Sequence, residues 1–388
     1  MPWKVSCLMS QRMSFVSRLL AGERMSELCR EFEISRKTGY KLRDRYEKLG
    51  PEGLYDLSRR PLRLARATPQ AVRELVLAHK REHPSWGPRK IRESLLKKYR
   101  DVRLPSASAI GDWFQREGLV KPRGRKARVT PYGDGLFVAE KPNDVWCIDY
   151  KGQFRMGNGK YCYPLTVTDQ FSRYLLACEA FEAIDGSSAQ LVMQQLFDQF
   201  GLPKYIRSDN GAPFASRGLL GLSRLSAQWV KYGIVPERIE PGHPEQNGRH
   251  ERMHRTLKAE TTRPARANVL SQQERFDEFR EEFNAERPHE ALGNETPSVF
   301  FTASERRCAD LTLDYPMHDD TRVVSASGHV RFLRSRRTRH VFVSAALARE
   351  RVGLRELSDG RVLVTFARLD LGYWIDNKNI FVPADKEV

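Results

Sequence analysis

Apolar positions in the first third of the chain recur at the three-to-four-residue spacing of helices. Phe15, Leu19 and Leu20 mark one segment, Met25, Leu28, Cys29 and Phe32 a second, and Tyr40, Leu42 and Tyr46 a third. Ser26 and Ser35 stand where N-caps belong, and Glu33-Ile34-Ser35 reads as the tight turn of a helix-turn-helix. The last helix of such a unit enters the major groove with its N-terminal part, which points Arg36, Lys37, Tyr40 and Lys41 toward DNA. A second trihelical pattern follows residues 56–67 (DLSRRPLRLARA). Thr68 caps and Pro69 opens a helix with Val72, Leu75 and Val76, residues 84–88 (PSWGP) break it, and Ile91, Leu95 and Leu96 pattern the next. Ser106 then caps a third helix with Ile110, Trp113 and Phe114. Residues 116–130 (REGLVKPRGRKARVT) lack periodicity and read as a flexible basic linker.

From residue 144 the pattern changes to that of strands. Val145 to Tyr150 is an apolar run interrupted by Asp149, the 157–160 turn (GNGK) leads into a second strand from Tyr161 to Thr168, and residues 173–181 make a third. A helix capped at Ser187 ends at Gly201, and a fourth strand runs through Ile206 to Asp209. Three antiparallel strands, a helix and a further strand describe an α/β layer fold. Short alternating strands return over 323–382, with turns at Ser327-Gly328 and Asp359-Gly360. The 388 residues therefore divide into helical domains at 1–60 and 61–130, an α/β domain at 131–305 and a small all-β domain at 306–388.

Charge sharpens this division. The chain carries +17, and residues 1–130 hold 31 basic and 14 acidic residues, which accounts for all of it. A polyanion-binding front end on a charge-balanced body follows, because Lys and Arg that displace phosphate counterions supply most non-specific DNA affinity. Arg331, Arg334, Arg336, Arg337 and Arg339 add a local basic stripe in the tail. No apolar run approaches the roughly 18–20 residues needed to cross a bilayer, and the first residues lack a secretory h-region. A cytoplasmic, nucleoid-associated protein is expected. The six cysteines lie far apart, without a CxxC pair, which argues against disulfides and zinc ribbons. His79 and His83 are read as surface residues for the same reason, and Cys147, Cys162, Cys178 and Trp146 as core.

The candidate chemistry lies in the α/β region. An ionised Asp within an apolar strand is costly unless a cation or hydrogen bonds compensate. Asp149 in one strand and Asp209 at the end of another fit carboxylate ligands of Mg2+, which favours carboxylate and water oxygens. A pair of such ions can activate a hydroxyl and stabilise a leaving oxygen in an in-line phosphoryl transfer. A third carboxylate is offered by residues 241–258 (PGHPEQNGRHERMHRTLK): either Glu245 in the loop, or Glu251 one turn into a helix, with Arg255 and Lys258 at i+4 and i+7 on its face. Asp169 reads as a turn residue, Gly211 as a position of positive φ, and His243 and His254 as surface histidines.

The segments PNDVWCIDYKG, IRSDNGAPF and HPEQNGRHERMHRTLK resemble, in that order, the catalytic core of bacterial insertion-sequence transposases with a retroviral-integrase-type (DDE) core, and NAERPHEALGNETPSVF is similar to the segment that closes that core. The resemblance implies a ribonuclease-H-like fold over about residues 140–300, with two Mg2+ ions (Mn2+ substituting) held by Asp149, Asp209 and Glu251. The family's common interval of 35 residues after the second Asp lands on Glu245, whereas Glu251 leaves 41. Glu251 is preferred because Asn-Gly precedes it on a basic amphipathic helix and residues 218–223 (GLLGLS) look like an insertion. The tail resembles the SH3-like barrel that often follows such a core. Implied are DNA binding at the element's terminal inverted repeats, cleavage of a strand at each end, transfer of the 3′ ends into target DNA, and a homo-oligomer. A catalytically inactive DNA-binding regulator derived from a transposase is the competing class.

Overall fold

A computed structural model describes residues 8–56, 68–120, 135–240, 243–308, 313–334, 337–376 and 378–384. Both basic linkers and Cys7 therefore lie outside the described residues, apart from the linkers' ends at Asp56 and at residues 116–120. The chain forms two compact units, Met1–Ala67 and Thr68–Val388.

The first unit holds α1 (Leu8–Leu20), α2 (Met25–Glu31) and α3 (Arg36–Leu49) around Phe15, Val16, Leu28, Cys29, Leu42 and Leu54. Ser35 caps α3 by accepting the Thr38 N–H. Ser26 does not cap α2: the helix starts one residue earlier, behind Arg24, with no side-chain cap. Gly39 lets α3 approach its neighbours, since a Cβ there would lie 2.7 Å from Met25 Sδ and 2.8 Å from Cys29 Sγ.

The second unit begins with α4 (Gln70–Glu82), α5 (Pro88–Lys98) and α6 (Ala107–Arg116), packed on Val76, Trp86, Ile91, Leu95, Ile110 and Phe114. Ser106 caps α6, whereas Pro69 itself occupies the N-cap of α4, and Thr68 stands outside the helix. His79 and His83 are not surface residues. His79 is 4% exposed and bonds Ser94 Oγ at 3.0 Å, and His83 stacks on Trp86 at 4.0 Å and reaches Glu282 at 2.9 Å. Further basic side chains of this unit pair with acids of the α/β layer: Arg89 with Glu290, Lys97 with Glu295 and Lys98 with Glu286.

The α/β layer follows the alternation closely. β1 (Val145–Tyr150), β2 (Phe154–Arg155), β3 (Tyr161–Asp169) and β4 (Leu175–Phe181) are antiparallel neighbours, with β3 between β1 and β4. Helix α7 (Gly186–Phe200) is capped by Asp185, not Ser187, because the Asp185 carboxylate takes both the Ser188 N–H and its hydroxyl. β5 (Tyr205–Ser208) then lies parallel to β1, and after α8 (Arg224–Lys231) a further strand, β6 (Val235–Arg238), lies parallel to β5. Helices α9 (Gly248–Thr261), α10 (Val269–Glu281) and the short α11 (Pro297–Phe300) complete the layer.

Period-two alternation sends Trp146, Ile148, Leu165 and Val167 to one face, against α7 and α8, and Cys147, Asp149, Thr166 and Thr168 to the other, toward α9. On that second face Met253, Leu257, Phe276, Phe279 and Phe283 pack over Cys162, Leu175 and Cys178. The five described cysteines are free, and those in the strands are buried.

The tail is all-β. An antiparallel sheet runs in the order β13 (Ile380–Pro383), β12 (Leu369–Ile375), β11 (Val362–Phe366), β10 (Arg351–Glu356) and β7 (Asp320–Val323), with β8 (His329–Arg334) and β9 (Arg337–Phe342) as a hairpin. Phe332 of the hairpin stacks on Trp374 of the sheet at 4.2 Å. Leu219, Leu220 and Leu222 pack with Ala227 and Val230 of α8 against this module. Of the tail's arginine stripe, the side chains of Arg334, Arg336 and Arg337 lie outside the described positions, and Arg331 is exposed. No described helix is long and apolar enough to cross a membrane.

Candidate active site

Strand register brings the two aspartates level. β1 and β5 pair Cys147 with Arg207, and continuing that register by two residues sets Asp149 beside Asp209 at the carboxyl end of both strands. The loop after β5 is fixed by short bonds: Asp209 Oδ1 accepts the Gly211 N–H at 3.1 Å, and the Asn210 amide donates to the Ile239 carbonyl at 2.6 Å. Gly211 does not take a positive φ. A Cβ there would sit 3.0 Å from Asp209 Oδ2, so a larger residue would crowd that carboxylate and push it a few tenths of an ångström. The base of the loop is anchored by Arg207, whose buried guanidinium pairs with Glu237 of β6 at 2.6 Å.

Glu251 lies in the first turn of α9, exposed, with Arg255 and Lys258 exposed on the same side of the helix. Asp209 and Glu251 lie near enough for their charges to act on Asp149, while the ligand atoms that come within 4.8 Å of one another are those of Asp149, His250 and His254. Burial first, then the charge of Asp209, and further the charge of Glu251, push the Asp149 carboxyl up from 3.8 to about 7. Asp149 and Asp209 at the ends of neighbouring strands, with Glu251 on the helix beside them, are residue types suited to a divalent cation with oxygen ligands. Glu245 sits in a single 3-10 turn, Pro244–Asn247, and its side chain lies outside the described positions.

Beneath the carboxylates is a buried polar network that the sequence pattern did not announce. The Thr166 hydroxyl meets His250 Nε2 at 2.8 Å, His254 Nε2 at 2.6 Å and the Asp149 carbonyl at 3.2 Å, and Thr168 meets His250 Nδ1 at 2.7 Å. If both rings carry their proton on Nε2, Thr166 accepts from both and donates to Asp149 O, while Thr168 donates to His250 Nδ1. That assignment leaves the His254 Nδ1 lone pair facing Asp149 Oδ2 at 3.6 Å. His254, expected at the surface, is 4% exposed, and His250 is 1% exposed. Burial holds both rings neutral, His250 down to about 3. The signal available in the sequence was Thr-Val-Thr at 166–168, whose threonines share one strand face, and histidines four apart at 250 and 254, which share one helix face. Asp169 is the turn residue expected: its carboxylate accepts the Asn143 N–H, the Ser172 N–H and the Ser172 hydroxyl, all at 2.8 Å or less. His243 is partly exposed, as expected of a surface histidine.

In the first unit, Arg36, Lys37, Tyr40 and Lys41 are all exposed along the outer face of α3, with Gly39 and Leu42 turned inward. Arg43 lies 5.2 Å from the Tyr40 ring centroid.

Comparison with known proteins adds independent matches. Residues 139–244 and 232–297 match models described as Integrase core domain, residues 11–61 a Helix-turn-helix domain, and residues 38–114 a Homeodomain-like domain. A 39.2 kDa protein of insertion element IS476 from Xanthomonas euvesicatoria is 26% identical over 60% of this chain and 64% of its own, so the chain spans less than two thirds of that relative's length. A 31.7 kDa protein of insertion element IS407 from Burkholderia multivorans is 28% identical over 62% of this chain and 83% of its own. The Pol polyprotein of Feline endogenous virus ECE1 is 29% identical over 37% of this chain and 12% of its own. Among solved structures, the HTLV-2 integrase catalytic core domain is 15% identical over 42% of this chain and 99% of its own, with a TM-score of 0.34.

Proposed function

We propose that this chain, which belongs with the bacterial insertion-sequence transposases built on an integrase-type core, is a polynucleotidyl transferase that binds the ends of its own element, cuts a strand at each end and joins the 3′ ends to target DNA. The observation that supports the reading is that the charges of Asp209 and Glu251 both act on the carboxyl of Asp149, with Arg255 and Lys258 exposed on the same side of α9 as Glu251. The three carboxylates would hold two Mg2+ ions, or Mn2+ in their place. Bound there, such ions supply a hydroxide or alkoxide nucleophile and neutralise charge on the leaving oxygen.

The protein's own groups do the remaining work. Arg255 and Lys258 engage the phosphodiester backbone beside the scissile bond, Lys as a point charge and Arg through its fork. Water attacks first and releases a 3′-hydroxyl. That hydroxyl then attacks a target phosphodiester, displacing its 3′ oxygen, so the number of phosphodiester bonds is conserved in the joining step. No side chain need form a covalent intermediate. Glu251 is the third ligand rather than Glu245, because only Glu251 stands on α9, the helix that Thr166 and Thr168 fasten to β3 through His250 and His254.

The exposed face of α3 enters the major groove with Arg36, Lys37, Tyr40 and Lys41. The helical domain at 61–130, the core at 131–305 and the SH3-like tail at 306–388 then follow, and a homo-oligomer holds the two ends together. Incubating the full chain with labelled DNA from both flanks of its gene and a plasmid target, in Mg2+ or EDTA, tests this. Joined products that require Mg2+ are expected. Specific binding with neither cleavage nor joining would instead mark a regulator derived from a transposase.

A further inference from the structure

On the flank of α9 turned away from Glu251, the structure holds a cavity of about 310 Å3. At 100° per residue Arg249 projects to the side opposite Glu251, Arg255 and Lys258, and Arg252 lies about 100° from Glu251 between the two sides; none of Asp149, Asp209 and Glu251 lines the cavity. Lys90 of α5 and Arg173 of the turn after β3 join them around it, with Arg287, which pairs with Glu260, and the acids Asp169 and Glu290 also in the lining.

Among the described residues, none of Arg249, Arg252, Lys90 and Arg173 makes an ion pair. The acids nearby are already engaged: Asp169 with Asn143 and Ser172, Glu290 with Arg89, and Glu260 with Arg287. Arg173 and Arg249 both donate to the Gln170 carbonyl, which uses only part of their capacity. The charges oppose one another: Arg173 is brought down to about 10 by burial and by Arg249, and Lys90 down to about 8 by burial and by Arg287. Two further polar atoms lining the space have no partner, Gln170 Oε1 on a side chain 9% exposed and His289 Nε2. The Gln170 amide turned by half a rotation presents its NH2 group to the space, whereas the neutral His289 ring, which donates to the Phe283 carbonyl, presents an acceptor.

Cations without a direct ion pair, only partly offset by Asp169, Glu260 and Glu290, surround a half-enclosed space with one amide able to donate into it, which favours an oxyanion, and guanidinium forks match the tetrahedral phosphate. We propose that this cavity is a phosphate-binding site, with Arg173, Arg252 and Lys90 as its principal ligands, filled by a phosphate of a DNA strand or by a free phosphate. Only the first source rests on the transposase reading.

Two measurements on the full chain in EDTA test it. In the first, thermal melting of the parent and of Lys90→Gln/Arg252→Gln is compared in phosphate and in chloride at equal ionic strength. Arg252 is exposed and Lys90 half-buried, and the variant's own chloride melt reports its folding. The parent should melt higher in phosphate, and that difference should vanish in the variant, which removes any general salt effect. In the second, the slope of log affinity for a duplex against log salt is measured. Each DNA phosphate that the protein no longer neutralises lowers its magnitude by about 0.9. A lower slope in the variant assigns a DNA phosphate to the cavity, and an unchanged slope without the phosphate-dependent melting shift assigns the free anion. The same phosphate response in parent and variant, together with an unchanged slope, would overturn the proposal. Neither readout involves strand chemistry, so an inactive enzyme with an intact cavity still gives both.

Discussion

Replacing Asp149 by asparagine should make the protein more stable above neutral pH, even though it removes a proposed ligand. Asp149 is a quarter exposed, and burial, Asp209 and Glu251 together raise its carboxyl from 3.8 to about 7. Between these values the folded chain keeps a proton that the unfolded chain has lost. Stability therefore falls as pH rises through that window, and the full penalty is present above about pH 7. At 1.36 kcal/mol per pKa unit the penalty is about 4 kcal/mol, and water at the exposed edge brings the expected difference to about 2–4 kcal/mol. Asparagine has the same shape without the charge. Urea denaturation followed by tryptophan fluorescence reads this core directly, because Trp146 and Trp229 lie in it. In EDTA at pH 8 the variant should exceed the parent by that amount, and near pH 4 the two should converge. Millimolar Mg2+ should stabilise the parent and leave the variant unchanged. Equal stability of parent and variant at pH 8 in EDTA would refute the claim that the carboxylates crowd one another.

Three further outcomes follow from the packing. Thr166→Val keeps the shape but strands the Nε2 atoms of His250 and His254, which should cost about 2–4 kcal/mol in urea denaturation, with Thr166→Ser restoring most of it. Glu237→Ala leaves the buried Arg207 guanidinium unpaired, so a loss of roughly 3–5 kcal/mol is expected from the same assay. Arg36→Ala/Lys37→Ala should leave the melting temperature unchanged and lower the salt slope of DNA binding by about 2, since each of the two phosphates they neutralise contributes roughly 0.9; an unchanged slope would remove α3 from the interface.

The carboxylate site was legible because its parts are local patterns. An Asp in an apolar strand, an Asp before Asn-Gly and a Glu on a basic helix each announce themselves, and the strand alternation fixes which face they share. Burial of single polar residues was not legible. Nothing in the neighbourhood of His79 or His254 tells that Ser94, or Thr166 on a distant strand, will enclose it. β6 escaped notice because Val-Pro-Glu-Arg has neither alternation nor β-branched density. Its place at the sheet edge is where a proline is tolerated, and its pairing with β5 is set by the Arg207–Glu237 contact. Caps lie one or two residues from those expected: Asp185 takes precedence over Ser187 within a run of capping residues, while Arg24 and Pro69 stand at the N-cap without a side-chain bond.

The most direct test compares the parent with Asp209→Asn and Glu251→Gln in a strand-joining assay on DNA from the flanks of the gene, with binding measured in parallel. The account predicts Mg2+-dependent joined products from the parent, and none from either variant while both still bind the DNA. Full joining by Asp209→Asn would contradict it.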